Sequence, residues 1–194
     1  MIKYILPLGL ATVFFSGCIS VTKELPAFST YTLMVDKNNI KHIKDTKKSI
    51  AVLEPKSINS VNNLLITYAD EKFRSESYAL SKWSDKPTKI LHQSMINYLN
   101  ETKNYNYVHG NRLNLPSDIK VLSELDSFTQ YLEGDKAFIK FSIRVFVVEN
   151  SRLETKSFSY VEQCTDQSAK GSVKALNRAV NKFLQELDSW IVNR

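Results

Sequence analysis

Cys18 is the residue whose type and placement point most directly to chemistry. It follows Phe15-Ser16-Gly17 at the end of a short apolar run, where a thiol is presented for covalent modification. Lys3 supplies a positive n-region, Tyr4 to Phe15 an apolar h-region, and Ser16 and Gly17 the small residues of a cleavage site, the order of an exported leader. As a permanent span the segment is too short: a bilayer crossing takes roughly 20 apolar residues, whereas Tyr4 to Phe15 is twelve and contains Pro7 and Gly9. The reading is a leader over residues 1–17, removed on export, with Cys18 as the lipidation site and first mature residue. One acyl chain gives only marginal membrane binding and two or more anchor stably, since each buried methylene contributes roughly 0.8 kcal/mol.

Other reactive side chains do not assemble by spacing. His42, His92 and His109 fall in a lysine-rich loop, a helix and a strand end, without Cys or acidic neighbours at metal-ligand intervals. The sequence lacks a Gly-x-Ser-x-Gly elbow, a phosphate-cradling glycine loop and a His-Glu-x-x-His pattern. Cys164, left alone once Cys18 is committed to lipid, reads as a small buried filler instead of an activated thiol, and a disulfide within the chain is excluded. The expectation is therefore no catalytic residue, no cofactor and no metal: a protein that is not an enzyme.

Composition agrees with one compact domain. The chain is 43 % hydrophobic with five Gly and five Pro in 194 residues, a length that buries a real core. The net charge of +6 is mild. The densest basic stretch, Lys37 to Lys48, has no interleaved aromatic residues for base stacking, so nucleic acid is not an expected partner. Residues 18–26 read as a lipidated tether and 27–194 as the folded domain.

Along that domain, Tyr31 to Val35 forms a first extended segment and Ser49 to Leu53 a buried strand closed by Pro55. Leu64 to Ala69 and Phe73 to Leu80 pair around the turn Asp70-Glu71-Lys72. Pro87 opens a helix, capped by Ser84 or Asp85, that carries Ile90, Leu91, Met95, Tyr98 and Leu99 on one stripe. Tyr105 to His109 is a short strand. Ile119 to Leu132 is long but only weakly alternating, Ala137 to Val147 alternates cleanly, and Leu153 to Glu162 returns to complete an antiparallel meander. Val173, Leu176, Val180, Phe183, Leu187 and Ile191 mark a C-terminal amphipathic helix. The fold class is α+β: a single domain with a largely antiparallel sheet packed against two main helices.

The tetrapeptide Phe15-Ser16-Gly17-Cys18 resembles the bacterial lipobox, with Phe15 where Leu is usual. By the Gram-negative sorting rule, Ile19 in place of Asp after the cysteine implies the outer membrane, with the domain facing the periplasm. Tyr31, Leu33, Tyr78, Trp83, Pro87, Ala175, Ala179 and Trp190 together make the chain similar to the PqiC-like ABC-type transport auxiliary lipoproteins over nearly its whole mature length. It departs in having a single Pro before the first helix and a last helix richer in Lys and Asn. The resemblance implies a non-enzymatic docking component of an ABC transporter and MCE-type system that moves phospholipids or other hydrophobic molecules between inner and outer membrane. The implied partners are the membrane, through the N-terminal acyl chains, and an MCE-domain protein, with homo-oligomerisation left open. Trp83 and Tyr78 are the candidate partner contacts. The alternative from another class is a lipoprotein chaperone or assembly factor for an outer-membrane protein.

Overall fold

A computed structural model describes residues 27–72, 74–110 and 115–194; the leader, Cys18 and the tether lie outside them. Eight strands form one mixed sheet and two helices cover one of its faces. The strands are β1 (Ser29–Tyr31), β2 (Ser49–Val52), β3 (Leu65–Ala69), β4 (Ser75–Trp83), β5 (Tyr107–Gly110), β6 (Ile119–Glu133), β7 (Lys136–Glu149) and β8 (Arg152–Gln163). The helices are α1 (Pro87–Thr102) and α2 (Ala169–Val192).

The meander β6-β7-β8 is antiparallel, as its alternation predicts. Two tight turns close it, around Gly134 (φ 52°) and around Asn150 and Ser151 (φ 49° and 62°). Paired positive φ values give the backbone twist that suits a two-residue hairpin connection. The sheet is thus largely antiparallel, as expected, and the other half adds parallel pairs that make it mixed. β2 and β3 lie one after the other along the free edge of β6, both parallel to it, with β5 parallel outside β2 and β1 parallel to β4. Helix α1 connects β4, which is antiparallel to β3, to β5, which is parallel to β2.

The weak alternation of β6 has a local cause. Leu125 pairs with Ile143 and Ser127 with Ser142, so Asp126 is an extra residue, a β-bulge. Before it Ile119, Val121, Ser123 and Leu125 are buried; after it Phe128 and Gln130 are. The inward parity switches from odd to even at that residue.

The core lies between the sheet and the helices, threaded by a chain of aromatic rings. Trp83 packs on Phe128 (5.3 Å between centroids), Phe128 on Phe141 (5.9 Å), Phe141 on Phe183 of α2 (5.4 Å), and Phe158 on both Phe183 (5.2 Å) and Trp190 (6.1 Å). The last four contacts are edge-on, the arrangement the ring quadrupole favours. The two tryptophans thus stand at the ends of one packed line.

Helix α2 begins at Ser168, whose hydroxyl accepts from Gly171 N (3.1 Å), an N-cap that satisfies one of the free amides of the first turn. At α1 the expected cap by Ser84 or Asp85 is not made. Pro87 does open the helix, but the Thr88 amide donates to Oδ1 of Asn62 (3.2 Å), which the loop between β2 and β3 brings across. The Asp85 carboxylate accepts from Lys86 N (2.7 Å) instead.

Candidate functional site

Tyr78 and Trp83 share β4, but an irregularity separates them: Leu65 pairs with Lys82 and Thr67 with Ser77, so two steps along β3 correspond to five along β4. Trp83 is only 2 % exposed, and its amide donates to Leu64 O (2.8 Å). This places Trp83 in the core instead of on a contact surface, its ring packed onto that of Phe128. Tyr78 is half-buried, its ring 4.9 Å from that of Tyr68. Its hydroxyl meets Oε1 of Gln130 and donates to the carbonyl of Gln167 (2.6 Å). Burial pushes the Tyr78 hydroxyl up to about 12, so it remains a donor at neutral pH.

Tyr78 stands beside a polar tip where three connections meet. Glu71, in the β3–β4 turn, accepts from Gly134 N (2.8 Å) in the β6–β7 turn. Gln167, in the connection from β8 to α2, donates to Gly134 O (2.7 Å) and Lys136 O (3.2 Å). Asp166 accepts from Ser168 N (2.9 Å) and from the Ser168 hydroxyl, and these bonds hold its carboxyl below the usual carboxylate range. A Cβ at position 171 would sit 2.6 Å from the Asp166 carbonyl, so only glycine allows this close approach. The polar groups of this tip are spent on one another.

A second feature is an open groove of about 1220 Å³ along α1, bordered by Thr32 to Val35 on one side and by β5 on the other. Residues 32–36 form a strap held by two asparagines of α2. Met34 N donates to Asn177 Oδ1 and Asp36 N to Asn181 Oδ1 (both 2.7 Å), and Asn181 Nδ2 donates to Met34 O (2.9 Å). Asn177 and Asn181, one helical turn apart, thus do for this backbone what a neighbouring strand would do. The first extended segment accordingly pairs with the sheet only at Ser29–Tyr31 and continues on the helix. This gives the Asn-rich character of α2 a structural reason, which sequence reasoning missed; an Asn pair spaced four apart was its signal.

At the far end of α1, a buried polar cluster fastens the lysine-rich loop. Asn104 accepts from Ile43 N (2.8 Å) and Lys44 N (3.1 Å) on its side chain and from Thr46 N (2.8 Å) on its carbonyl. Its Nδ2 donates to Asp188 (2.8 Å), and the Tyr105 hydroxyl donates to the other Asp188 oxygen (2.7 Å). Burial raises the Asp188 carboxyl above the ordinary range, while bonds from Tyr105 and Asn104 and the nearby His42 oppose that rise.

The three histidines are apart and each lies beside a backbone carbonyl: His42 by Thr102 (3.2 Å), His92 by Val52 (2.9 Å) and His109 by Gly110 (2.9 Å). No group of His, Cys, Asp and Glu with metal-holding geometry occurs among the described residues. Cys164 is buried at the end of β8, and burial pushes its thiol up, away from the thiolate that nucleophilic chemistry requires.

A family model described as ABC-type transport auxiliary lipoprotein component matches residues 31–187. Among solved structures, protein XCC0632 from Xanthomonas campestris, of the DUF330 family, is similar with a TM-score of 0.76 at 14 % identity, over 84 % of this chain and 94 % of that one. A second, described as an uncharacterized protein, is similar with a TM-score of 0.70 at 12 % identity, over 86 % of this chain and 99 % of that one. At such identities the likeness is one of fold. No curated protein matches the sequence.

Proposed function

Because the chain belongs to the family of ABC-type transport auxiliary lipoprotein components, we propose that it is a docking subunit, anchored by acyl chains on Cys18 and working by contact instead of catalysis. The domain faces the periplasm from the outer membrane. There it receives an MCE-domain protein of an ABC transport system that carries phospholipids or other hydrophobic molecules between the two membranes. The observation that carries this reading is the family match, which runs from the first strand of the folded domain into the last helix.

Tethering supports docking physically, because confinement to the same surface raises the effective concentration of two partners without requiring high intrinsic affinity. Of the two aromatic residues expected at the contact, Tyr78 keeps accessible surface and is assigned to the docking edge, with Trp83 supporting β4 from beneath. Co-purification of the MCE-domain protein from membranes tests the assignment. Wild type and Tyr78→Phe should retain the partner, whereas Cys18→Ser and a Tyr78→Ala variant matched in thermal stability should lose most of it. Full retention by Cys18→Ser would refute the anchored docking role.

A further inference from the structure

The sheet has one face under α1 and α2 and an opposite face on which neither helix packs. Near β1 that opposite face is apolar. Leu65 is directly across from Lys82 in the β3–β4 ladder, and Lys82 across from Thr30 of β1; cross-strand partners share a face. Phe28, two residues before Thr30, is beneath the Lys82 ammonium, 5.4 Å from Nζ to the ring centroid. Tyr131, paired with Ala69 of β3, continues the same face. Exposure is 54 % for Phe28, 47 % for Leu65 and 41 % for Tyr131, with Leu80 in the bulged part of β4 at 45 %. The cations beside these residues, Lys82 and Lys140, form no ion pair among the described residues.

The chain outside the described residues restricts what can cover this surface. Cys18 and Ala27 are nine residues apart, so the link between them reaches at most about 30 Å when fully extended. A domain of this size is on the order of 40 Å across. A lipid on Cys18 therefore keeps the β1 edge within one domain diameter of the bilayer, so the apolar, cationic surface next to that edge is within reach of it.

We propose that the helix-free face of the sheet around Phe28, Leu65, Lys82 and Tyr131 rests on the membrane surface, its apolar side chains entering the interface and its lysines meeting anionic head groups. This rests on the reading of Cys18 as acylated. Apolar side chains entering the interface and cations meeting anionic lipid are the two terms that hold interfacial proteins on bilayers. With that face on the membrane, α1, α2 and the groove between strap and helix are turned to the periplasm, where a partner arrives.

The test uses the acylated full-length mature protein in vesicles of phosphatidylethanolamine and phosphatidylglycerol. A fluorophore is placed on a single introduced cysteine in a Cys164→Ala background, with a nitroxide-bearing lipid as quencher. Leu65→Cys should lose most of its fluorescence, Lys174→Cys on the exposed side of α2 should keep it, and adding Lys82→Glu should relieve the quenching at position 65. Equal quenching at both positions, or none at 65, overturns the inference. So does cross-linking between two copies through position 65 without lipid quenching, which would assign the face to a second copy. Mass measurement separates the readings: an acylated chain unquenched at 65 overturns this inference alone, whereas an unacylated Cys18 overturns the lipoprotein reading together with it.

Discussion

Asp188 shows how one residue can govern the pH response of this fold. It is 1 % exposed, and burial raises its carboxyl above the ordinary range, so between the unfolded and folded pKa values the native state binds more protons than the unfolded one. Stability from this group is then fully present below the unfolded carboxyl pKa and is lost as pH rises through the folded value. Urea unfolding followed from pH 4 to pH 8 should show wild type losing stability relative to Asp188→Asn, which cannot titrate; parallel curves would contradict this. Asp188→Ala should cost about 2–4 kcal/mol, because it leaves the buried donors of Tyr105 and Asn104 without an acceptor. The position was legible in sequence only as one more polar residue of the last helix, since its partners are 83 and 84 residues away.

Among the elements, β6 is the one whose pattern most needed the structure. Its fifteen residues read as weakly alternating because two well-alternating halves are joined out of phase at Asp126. Deleting Asp126 should turn Phe128 and Gln130 outward and Ser127 and Thr129 inward, since a one-residue shift exchanges the faces of a strand. The expected outcome is loss of the cooperative thermal transition and of near-ultraviolet dichroism. Asp126→Ser, which keeps the extra residue at an exposed site, should stay within about 0.5 kcal/mol of wild type. The extents of α1, α2 and β7 were by contrast readable to within a few residues, because a stripe or an alternation packed on one partner repeats without interruption.

For the whole molecule, the aromatic line from Trp83 to Trp190 makes sheet and C-terminal helix one cooperative body. Phe183 is its fully buried hinge point, edge-on to both Phe141 and Phe158. Phe183→Ala should destabilise by about 3–5 kcal/mol, combining lost transfer energy with the cavity left behind. Denaturant titration followed through Trp83 and Trp190 fluorescence should show one transition at lower midpoint. Two separate transitions would mean that the helix is not part of the same unit.

The sequence by itself determined the candidate lipid site at Cys18, the meander, both helices and the family, because each rests on local order: a leader before a small-residue cleavage site, period-two and helical stripes, short motifs in a fixed succession. Only the tertiary structure decided that β2 and β3 run parallel along one edge of β6, that Asn62 caps α1, that Asn177 and Asn181 hold the strap, and that Trp83 lies inside. Those outcomes depend on which polar and apolar groups arrive beside one another from distant parts of the chain. Backbone amides and ring faces accept many partners equally well, so their choice is made by the packing of the whole and leaves no mark in any one segment.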